Sequence, residues 1–331
     1  MSHLLRIGLC LLLSSPLVAA TREKTTWSGF PAWRLSDGKT EAVVVPALGR
    51  VMHYGFIRGR NWLWCPTPSD IAGNPHPFGN WRDWGGNKTW LAPQSQWPAW
   101  LGHDWPPDPA WGDARFPHQA TELRGGALRL TGPVSPQTGV QIVREFRFNR
   151  GAFIIKQIAK KVAGKPLTAA LWSVTNIHRP EAAFLLLNPH SPYRNGFVTY
   201  AGEGGKPSLE RRGDLLIIRP GRGKSYKIGA DVTAPSVAAL QDGEVFLQRT
   251  ERQRGQYPDG NPGPGFSVEI YDTGTKLTPR FFELELFTPL RPLTKGSSLT
   301  SEVRWSLHRV SGQRGLNLKT NRHTGKSRPQ P

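Results

Sequence analysis

Residues 141–177, QIVREFRFNRGAFIIKQIAKKVAGKPLTAALWSVTNI, contain three successive segments rich in β-branched and aromatic residues. These segments, 141–149, 153–162 and 168–177, are separated by short runs that contain Gly. In the first segment apolar residues alternate with charged ones, as in a strand that buries one face. None of the segments has the period of an amphipathic helix. The stretch therefore predicts three successive strands.

The same pattern extends in both directions along the chain. Further short β-rich segments occupy 43–45, 51–56, 127–132, 236–249, 266–271, 281–287 and 301–310. The segment 236–249 has Asp242-Gly243 at its centre, which predicts a hairpin turn. Because turn residues recur at short intervals and no helical period is sustained, we predict an all-β fold. We expect one large antiparallel β-sandwich domain over residues 21–310.

The two ends of the chain differ from this domain. Residues 1–20 combine Arg6, an apolar run at 7–13 and small residues before Ala20, which predicts a secretory signal cleaved after Ala20. Residues 311–331 are basic, lack acids and are poor in apolar residues, so we predict a disordered tail. No later apolar run is long enough for a transmembrane segment. We therefore expect a periplasmic or secreted protein.

The formal net charge of +19 favours anionic partners such as acidic glycans. The basic residues are scattered and no nucleic-acid-binding motif is present, so we do not expect binding to nucleic acid.

Cys65 is the single cysteine that remains after signal cleavage, which excludes an intramolecular disulfide. We expect a monomer.

Residues 76–116 hold seven of the 13 tryptophans, interleaved with Pro and Gly. Because the segment has no regular period, we predict an ordered, aromatic-rich loop over one face of the domain. Its tryptophans either form platforms for a sugar, with polar neighbours that orient the hydroxyls, or pack together as a small core. The candidate ligand-binding residues are Arg82, Trp84, Asn87, Lys88, Trp90, Gln94 and Trp97.

The segment FFELELF at 281–287 supplies the candidate catalytic carboxylates. In a strand, Leu284 and Leu286 lie on one face, while Glu283 and Glu285 lie on the other, about 7 Å apart. In a cleft, two such carboxylates are candidates for general acid–base chemistry or ligand binding, and their proximity would raise the pKa of one of them. The alternative is a solvent-facing strand whose glutamates form salt bridges. The sequence leaves both open.

His178 follows the predicted strand 168–177 and is the candidate second proton-transfer group. Histidine titrates near neutral pH and can serve as acid or base. A structural role is the alternative. No pair of His or Cys residues has the spacing of zinc ligands, so we predict neither a metal site nor a cofactor.

Three parts of the sequence together resemble the galactose mutarotase-like (aldose 1-epimerase-like) superfamily. They are TEAVVVPALGRVMHYGFIRGRNWLW at 40–64, WGGNKTWLAPQSQWP at 84–98, and the strand pair FSVEIYDTG and FFELELFTPL followed by TKGSSLTSEVRWSL. Within it, the chain is most similar to a secreted bacterial family known only as a domain of unknown function.

This resemblance implies a β-supersandwich with a carbohydrate cleft and an aldose 1-epimerase-like isomerase. In such enzymes a glutamate on a late strand is the base at the anomeric hydroxyl and a histidine is the acid at the ring oxygen. The matching residues are Glu283, with Glu285 as a close alternative, and His178. Arg82 and Lys88 would contact sugar hydroxyls or an anionic group. The alternative function is a non-catalytic glycan-binding or envelope structural protein on the same fold.

Overall fold

The computed structural model describes residues 20–67 and 82–310. The predicted signal, except Ala20, and the predicted tail lie outside the described residues. The strands, in chain order, are β1 (Thr21–Trp27), β2 (Phe30–Ser36), β3 (Thr40–Val45), β4 (Arg50–Phe56), β5 (Asn87–Ala92), β6 (Gln119–Glu122), β7 (Leu128–Val134), β8 (Val140–Asn149), β9 (Ala152–Lys161), β10 (Leu167–Ile177), β11 (Ala182–Leu186), β12 (Phe197–Ala201), β13 (Lys206–Arg212), β14 (Leu215–Arg222), β15 (Tyr226–Ala230), β16 (Ser236–Gln241), β17 (Glu244–Thr250), β18 (Val268–Asp272), β19 (Phe282–Phe287), β20 (Arg291–Leu293) and β21 (Ser298–Arg309).

These strands form two large antiparallel sheets. Sheet A has the order β1-β2-β3-β4-β5-β10-β19-β18-β15-β12, and β20 also pairs with β10. Sheet B has the order β13-β14-β11-β16-β17-β21-β9-β8-β7-β6. The prediction of an all-β antiparallel sandwich is confirmed.

The main hydrophobic core lies between the two sheets. Phe282, Leu284 and Leu286 of β19 are at most 2% exposed and belong to the same buried cluster as Phe146 of β8 and Phe153 of β9. Burying one such side chain stabilises the fold by about 1.5–3 kcal/mol. The alternation along β19 thus places Phe282, Leu284 and Leu286 in the core, as predicted, and Glu283 and Glu285 on the opposite face of sheet A.

The hairpin predicted at residues 236–249 is confirmed. Strands β16 and β17 pair with Gln241 opposite Glu244. Asp242 and Gly243 form the turn with φ values of 48° and 70°. Positive φ at both central residues is characteristic of a type I′ turn, whose twist matches that of the flanking strands.

The Trp-rich segment, predicted as an ordered loop without a regular period, contains one short strand that the sequence did not indicate. Residues Asn87–Ala92 form β5, which pairs with β10 inside sheet A, and all six are buried. A strand covered on both faces shows no alternation of polarity, so its sequence hides its structure. A short helix, α1 (Trp97–Leu101), and 3-10 turns at Gln94–Gln96 and Pro109–Trp111 follow it, and another 3-10 turn spans Pro46–Leu48. In the described part of the chain, none of the helices is long and apolar enough to cross a membrane.

Polar side chains also connect the two sheets. The pairs, each with one partner in each sheet, are Arg144–Asn87, Thr175–Gln248 and Thr89–Gln157. Arg144 is 1% exposed and also donates from Nη1 to the carbonyl oxygens of Gly49 and Asn87, at 2.8 and 3.0 Å. These hydrogen bonds offset much of the cost of burying the polar groups, although Arg144 Nε and Gln248 Nε2 have no partner among the described residues.

Candidate functional site

A cavity of about 930 Å³ opens on the face of sheet A that is turned away from the core. Its floor is formed by side chains of five neighbouring strands, namely Trp90, Trp172, Lys227, Tyr271 and Glu283. Its walls come from residues 64–66, from Arg82 and Asp83, and from the loop 277–281. The volume lies within the range of small-molecule sites.

Glu283 is the carboxylate at the cavity floor. The strand register places it between Asn176 of β10 and Tyr271 of β18. Lys88 Nζ lies 3.2 Å from Glu283 Oε1 and also donates to Asn176 Oδ1. The Lys88 ammonium is 4.8 Å from the ring centroid of Trp90. These contacts hold Glu283 in one position on a rigid sheet.

Burial raises the pKa of Glu283 to about 7, although the neighbouring Lys88 ammonium opposes the shift. The carboxylates of Glu285 and Asp83 raise it further. Near neutral pH this carboxyl group is therefore present in both protonation states. Such a group can accept or release a proton during catalysis.

Glu285 occupies a different environment from Glu283. It is fully buried, accepts hydrogen bonds from Trp172 Nε1 at 2.6 Å and Lys227 Nζ at 2.9 Å, and does not line the cavity. Lys227 Nζ also lies 2.8 Å from Glu269 Oε2. Burial alone would lower the pKa of Lys227, but the Glu269 and Glu285 carboxylates outweigh it and raise that pKa well above its ordinary value. Glu285 therefore supports the floor, and Glu283 is the carboxylate that faces the cavity.

Four of the ligand-binding candidates lie at the cavity. Arg82, Trp90 and Gln94 line it, and Lys88 lies beneath it against Glu283. The Arg82 guanidinium packs over the Trp84 ring, at 5.3 Å from its centroid. Strand β5 brings Lys88 and Trp90 together because alternate residues share a face.

Three of the candidates point elsewhere. Trp84 is buried edge-to-face against Phe30, with ring centroids 5.6 Å apart. Trp97 is fully buried among other tryptophans and donates from Nε1 to the Leu91 carbonyl at 2.9 Å. Asn87, one residue before Lys88, faces the core. The geometry of Trp84 and Trp97 is that of a packed aromatic core, which was the alternative interpretation.

His178 follows the end of β10, two residues after Asn176, which is paired with Glu283. The backbone N–H of His178 donates to the Trp62 carbonyl, so the segment around Trp62 lies beside this end of β10. The imidazole is not among the groups that line the cavity. Burial and the nearby Arg60 guanidinium lower the pKa of His178. The residue is therefore neutral at neutral pH, and its imidazole lies outside the lining of the cavity where it was expected to act.

Sequence reasoning missed Tyr271, Lys227 and Trp172, which the structure places at the floor. The sequence does contain a weak indication of Tyr271. Glu269 and Tyr271 share one face of β18, just as Glu283 and Glu285 share one face of β19. Recognising it requires the register between these two strands. Within residues 20–67 and 82–310, no group of His, Cys, Asp and Glu side chains is arranged to hold a metal ion.

Comparison with known proteins gives a family and a fold. The model of a family described as "Domain of unknown function (DUF4380)" matches residues 32–308. A galactose mutarotase-like protein from Lactobacillus casei has a TM-score of 0.52 and 10% identity, covering 84% of this chain and 100% of that chain. Another galactose mutarotase-like protein, from Clostridium acetobutylicum, has a TM-score of 0.51 and 9% identity. The match covers 89% of this chain and 100% of that protein.

A TPR-domain containing protein from Parabacteroides distasonis is also similar, with a TM-score of 0.54 and 13% identity. The match covers 91% of this chain, but this chain spans only 50% of that protein. The comparison with curated proteins gave no significant match. At these identities the likenesses establish the fold, which is that of the galactose mutarotase-like proteins.

Proposed function

Since this chain belongs to the family described as "Domain of unknown function (DUF4380)" and has a galactose mutarotase-like fold, we propose that it binds a carbohydrate and interconverts its anomers. The observation that carries the proposal is Glu283. It is a positioned carboxyl group with a pKa raised to about 7, at the floor of a cavity of about 930 Å³. Groups with such shifts concentrate at functional sites.

The lining of the cavity suits a sugar ring. Trp105 offers an apolar ring surface for the C–H face of the sugar, and Trp90 and Trp172, each 4% exposed, add smaller apolar patches. Gln94 and Arg82 offer polar groups for its hydroxyls, or for an acidic substituent in the case of Arg82. A mixture of aromatic walls and a few polar groups is typical of small-molecule sites.

In the proposed reaction, ionised Glu283 takes the proton of the anomeric hydroxyl. The bond between C1 and the ring oxygen breaks, C1 becomes an aldehyde carbon, and the ring oxygen takes a proton from the Tyr271 hydroxyl. Burial raises the pKa of Tyr271, so its phenol keeps its proton at neutral pH. After rotation about the C1–C2 bond, the ring oxygen attacks the other face of C1 and both protons return. The substrate and the enzyme are then restored except for the anomeric configuration.

The first test is Glu283→Gln, which preserves the size of the side chain and removes the base. We expect anomer interconversion to slow by about 100-fold or more, the usual contribution of a general base. The measurement is polarimetry of freshly dissolved α-anomers of hexoses, including galactose, glucose and galacturonate. Unchanged rates on a hexose that the wild-type protein turns over would contradict the assignment of Glu283.

Two further variants separate Tyr271 from His178 as the acid. Tyr271→Phe should slow the reaction strongly, since it removes the proposed proton donor to the ring oxygen. His178→Ala should leave the rate within a few-fold of the wild type, because the imidazole does not line the cavity. The reverse result would return the acid role to His178.

The position of His178 also favours a second candidate function, a non-catalytic glycan-binding or envelope structural protein. In that case calorimetry would detect sugar binding with no anomer interconversion above the buffer rate. For either function we propose export, with removal of residues 1–20 from a monomeric protein. Mass spectrometry of the protein purified from its native host should then show Thr21 as the first residue.

A further inference from the structure

A second, smaller compartment adjoins the main cavity. Its volume is about 310 Å³, at the lower end of the range for small-molecule sites. It shares four lining residues with the main cavity, namely Gln94, Trp172, Ala201 and Lys227. Five further residues line only this compartment, namely Ser95, Pro98, Asp104, Tyr200 and Asp259. The two compartments therefore meet along one boundary rather than lying at separate places on the surface.

The boundary between the compartments is rigid. Lys227 lies 4.7 Å over the Trp172 ring and is 2.8 Å and 2.9 Å from carboxylate oxygens of Glu269 and Glu285. Both glutamates are fully buried. A lysine held by two buried carboxylates and an indole cannot swing across the opening without breaking those contacts. The two compartments are thus preorganised to be occupied together.

The smaller compartment has the chemistry of a sugar subsite. Tyr200 supplies an aromatic surface, and Asp104 and Asp259 supply acceptors for hydroxyl groups. Burial raises the pKa of Asp259 above its ordinary value. This combination repeats, on a smaller scale, the aromatic and carboxyl groups of the main cavity.

We propose that the ligand is an oligosaccharide of at least two linked sugar units, with one unit in each compartment and the linkage crossing at Trp172 and Lys227. The inference rests on the proposed function. The reducing-end unit carries the anomeric hydroxyl and therefore occupies the main cavity at Glu283. The next unit occupies the smaller compartment between Tyr200 and Asp259.

The test is calorimetry with oligosaccharide ladders of one to four units, built from glucose, galactose, N-acetylglucosamine and galacturonate. For the oligosaccharide series that binds, we expect the Kd to fall by about tenfold or more from one unit to two. The second unit adds buried surface with little further loss of translational and rotational entropy. Units beyond those that fill the two compartments should add little.

Two matched variants locate the second unit. Ser95 lies at an exposed position on a 3-10 turn and lines only the smaller compartment, so Ser95→Trp should fill that compartment. Leu277 lines only the main cavity, so Leu277→Trp should narrow the main cavity. Ser95→Trp should abolish the gain in affinity that the second sugar unit provides, and it should leave the Kd for one unit unchanged. Leu277→Trp should weaken the binding of one and two units alike.

The outcomes separate this inference from the proposed function. Equal Kd values for one and two units in a ladder that binds would overturn the two-compartment site and leave the proposed function standing. A gain that survives Ser95→Trp would also overturn it, because the second unit would then lie elsewhere. Failure of all four ladders to bind would overturn both the proposed function and this inference.

Discussion

The cavity floor contains two similar sets of side chains with different accessibility. The sets are Lys88, Trp90, Glu283 and Lys227, Trp172, Glu285. In each, the ammonium lies over an indole ring, at 4.8 or 4.7 Å, and contacts a glutamate, at 3.2 or 2.9 Å. The Glu283 side chain is 13% exposed and that of Glu285 is not exposed. Exposure, rather than the type of neighbouring groups, therefore distinguishes Glu283, the proposed catalytic carboxylate, from Glu285.

The raised pKa of Glu283 makes a prediction for stability against pH. The ordinary pKa of 4.5 applies to the unfolded chain and about 7 to the folded one, so the folded state binds this proton more tightly. The resulting stabilisation is fully present below pH 4.5 and is lost as the pH rises through about 7. Glu283→Gln lacks this proton. The free energy of unfolding of the wild type, relative to that of the variant, should therefore fall across this window.

Urea unfolding at several pH values between 4.5 and 8 measures this difference. Glu122→Gln, at an exposed position of β6, is the control for a general loss of negative charge. A difference between wild type and Glu283→Gln that stays constant with pH would show that the carboxyl group has the same affinity for protons in both states.

At the scale of single elements, one face of β19 lies in the core between the sheets, and the other carries the proposed catalytic residue Glu283. Leu284→Ala removes a fully buried side chain from the core between the sheets. We expect it to lower the free energy of unfolding by about 2–5 kcal/mol, measured by urea denaturation. The matched control is Leu209→Ala on β13, where the side chain is 39% exposed and the loss should be well under half as large. Similar losses at both positions would contradict the position of the core.

Several strands gave no recognisable signal in the sequence, for two different reasons. Strand β5 is buried on both faces, so polarity does not alternate along it. Strands β1 (TREKTTW) and β13 (KPSLERR) lie at the edges of their sheets and are largely polar. Charged residues on an edge strand hinder its pairing with other chains. The same residues replace the apolar pattern by which a strand is recognised in the sequence.

At the scale of the whole molecule, Arg144 is a main polar connection between the sheets. Arg144→Met would leave buried acceptors of Gly49 and Asn87 without their donor. We expect a loss of roughly 1–3 kcal/mol in the free energy of unfolding for such unsatisfied groups. Because Asn87 precedes Lys88 on β5, the variant should also disturb the cavity floor and weaken sugar binding.

The control for this prediction is Arg147→Met on the other face of the same strand. Arg147 is 33% exposed and pairs with Glu302, and such surface pairs contribute about 0–1 kcal/mol. The measurement is urea unfolding of both variants, with calorimetry of sugar binding. Equal effects of the two substitutions would show that the contacts between the sheets contribute no more than a surface ion pair.

The sequence by itself determined the all-β class, the hairpin at Asp242-Gly243 and the two faces of β19. These features depend on residues that are neighbours along the chain, through the two-residue period of a strand and the conformations that a tight turn requires. The same local reasoning narrowed the candidate carboxylates to Glu283 and Glu285.

Only the tertiary structure decided which groups meet at the cavity. Lys88 and Glu283 are 195 residues apart in sequence and come into contact because β10 lies between their strands in sheet A. The register of β18 against β19 places Tyr271 beside Glu283, whereas the imidazole of His178 does not line the cavity. Strand order and register are set by packing over the whole sandwich, so no local pattern in the sequence records them.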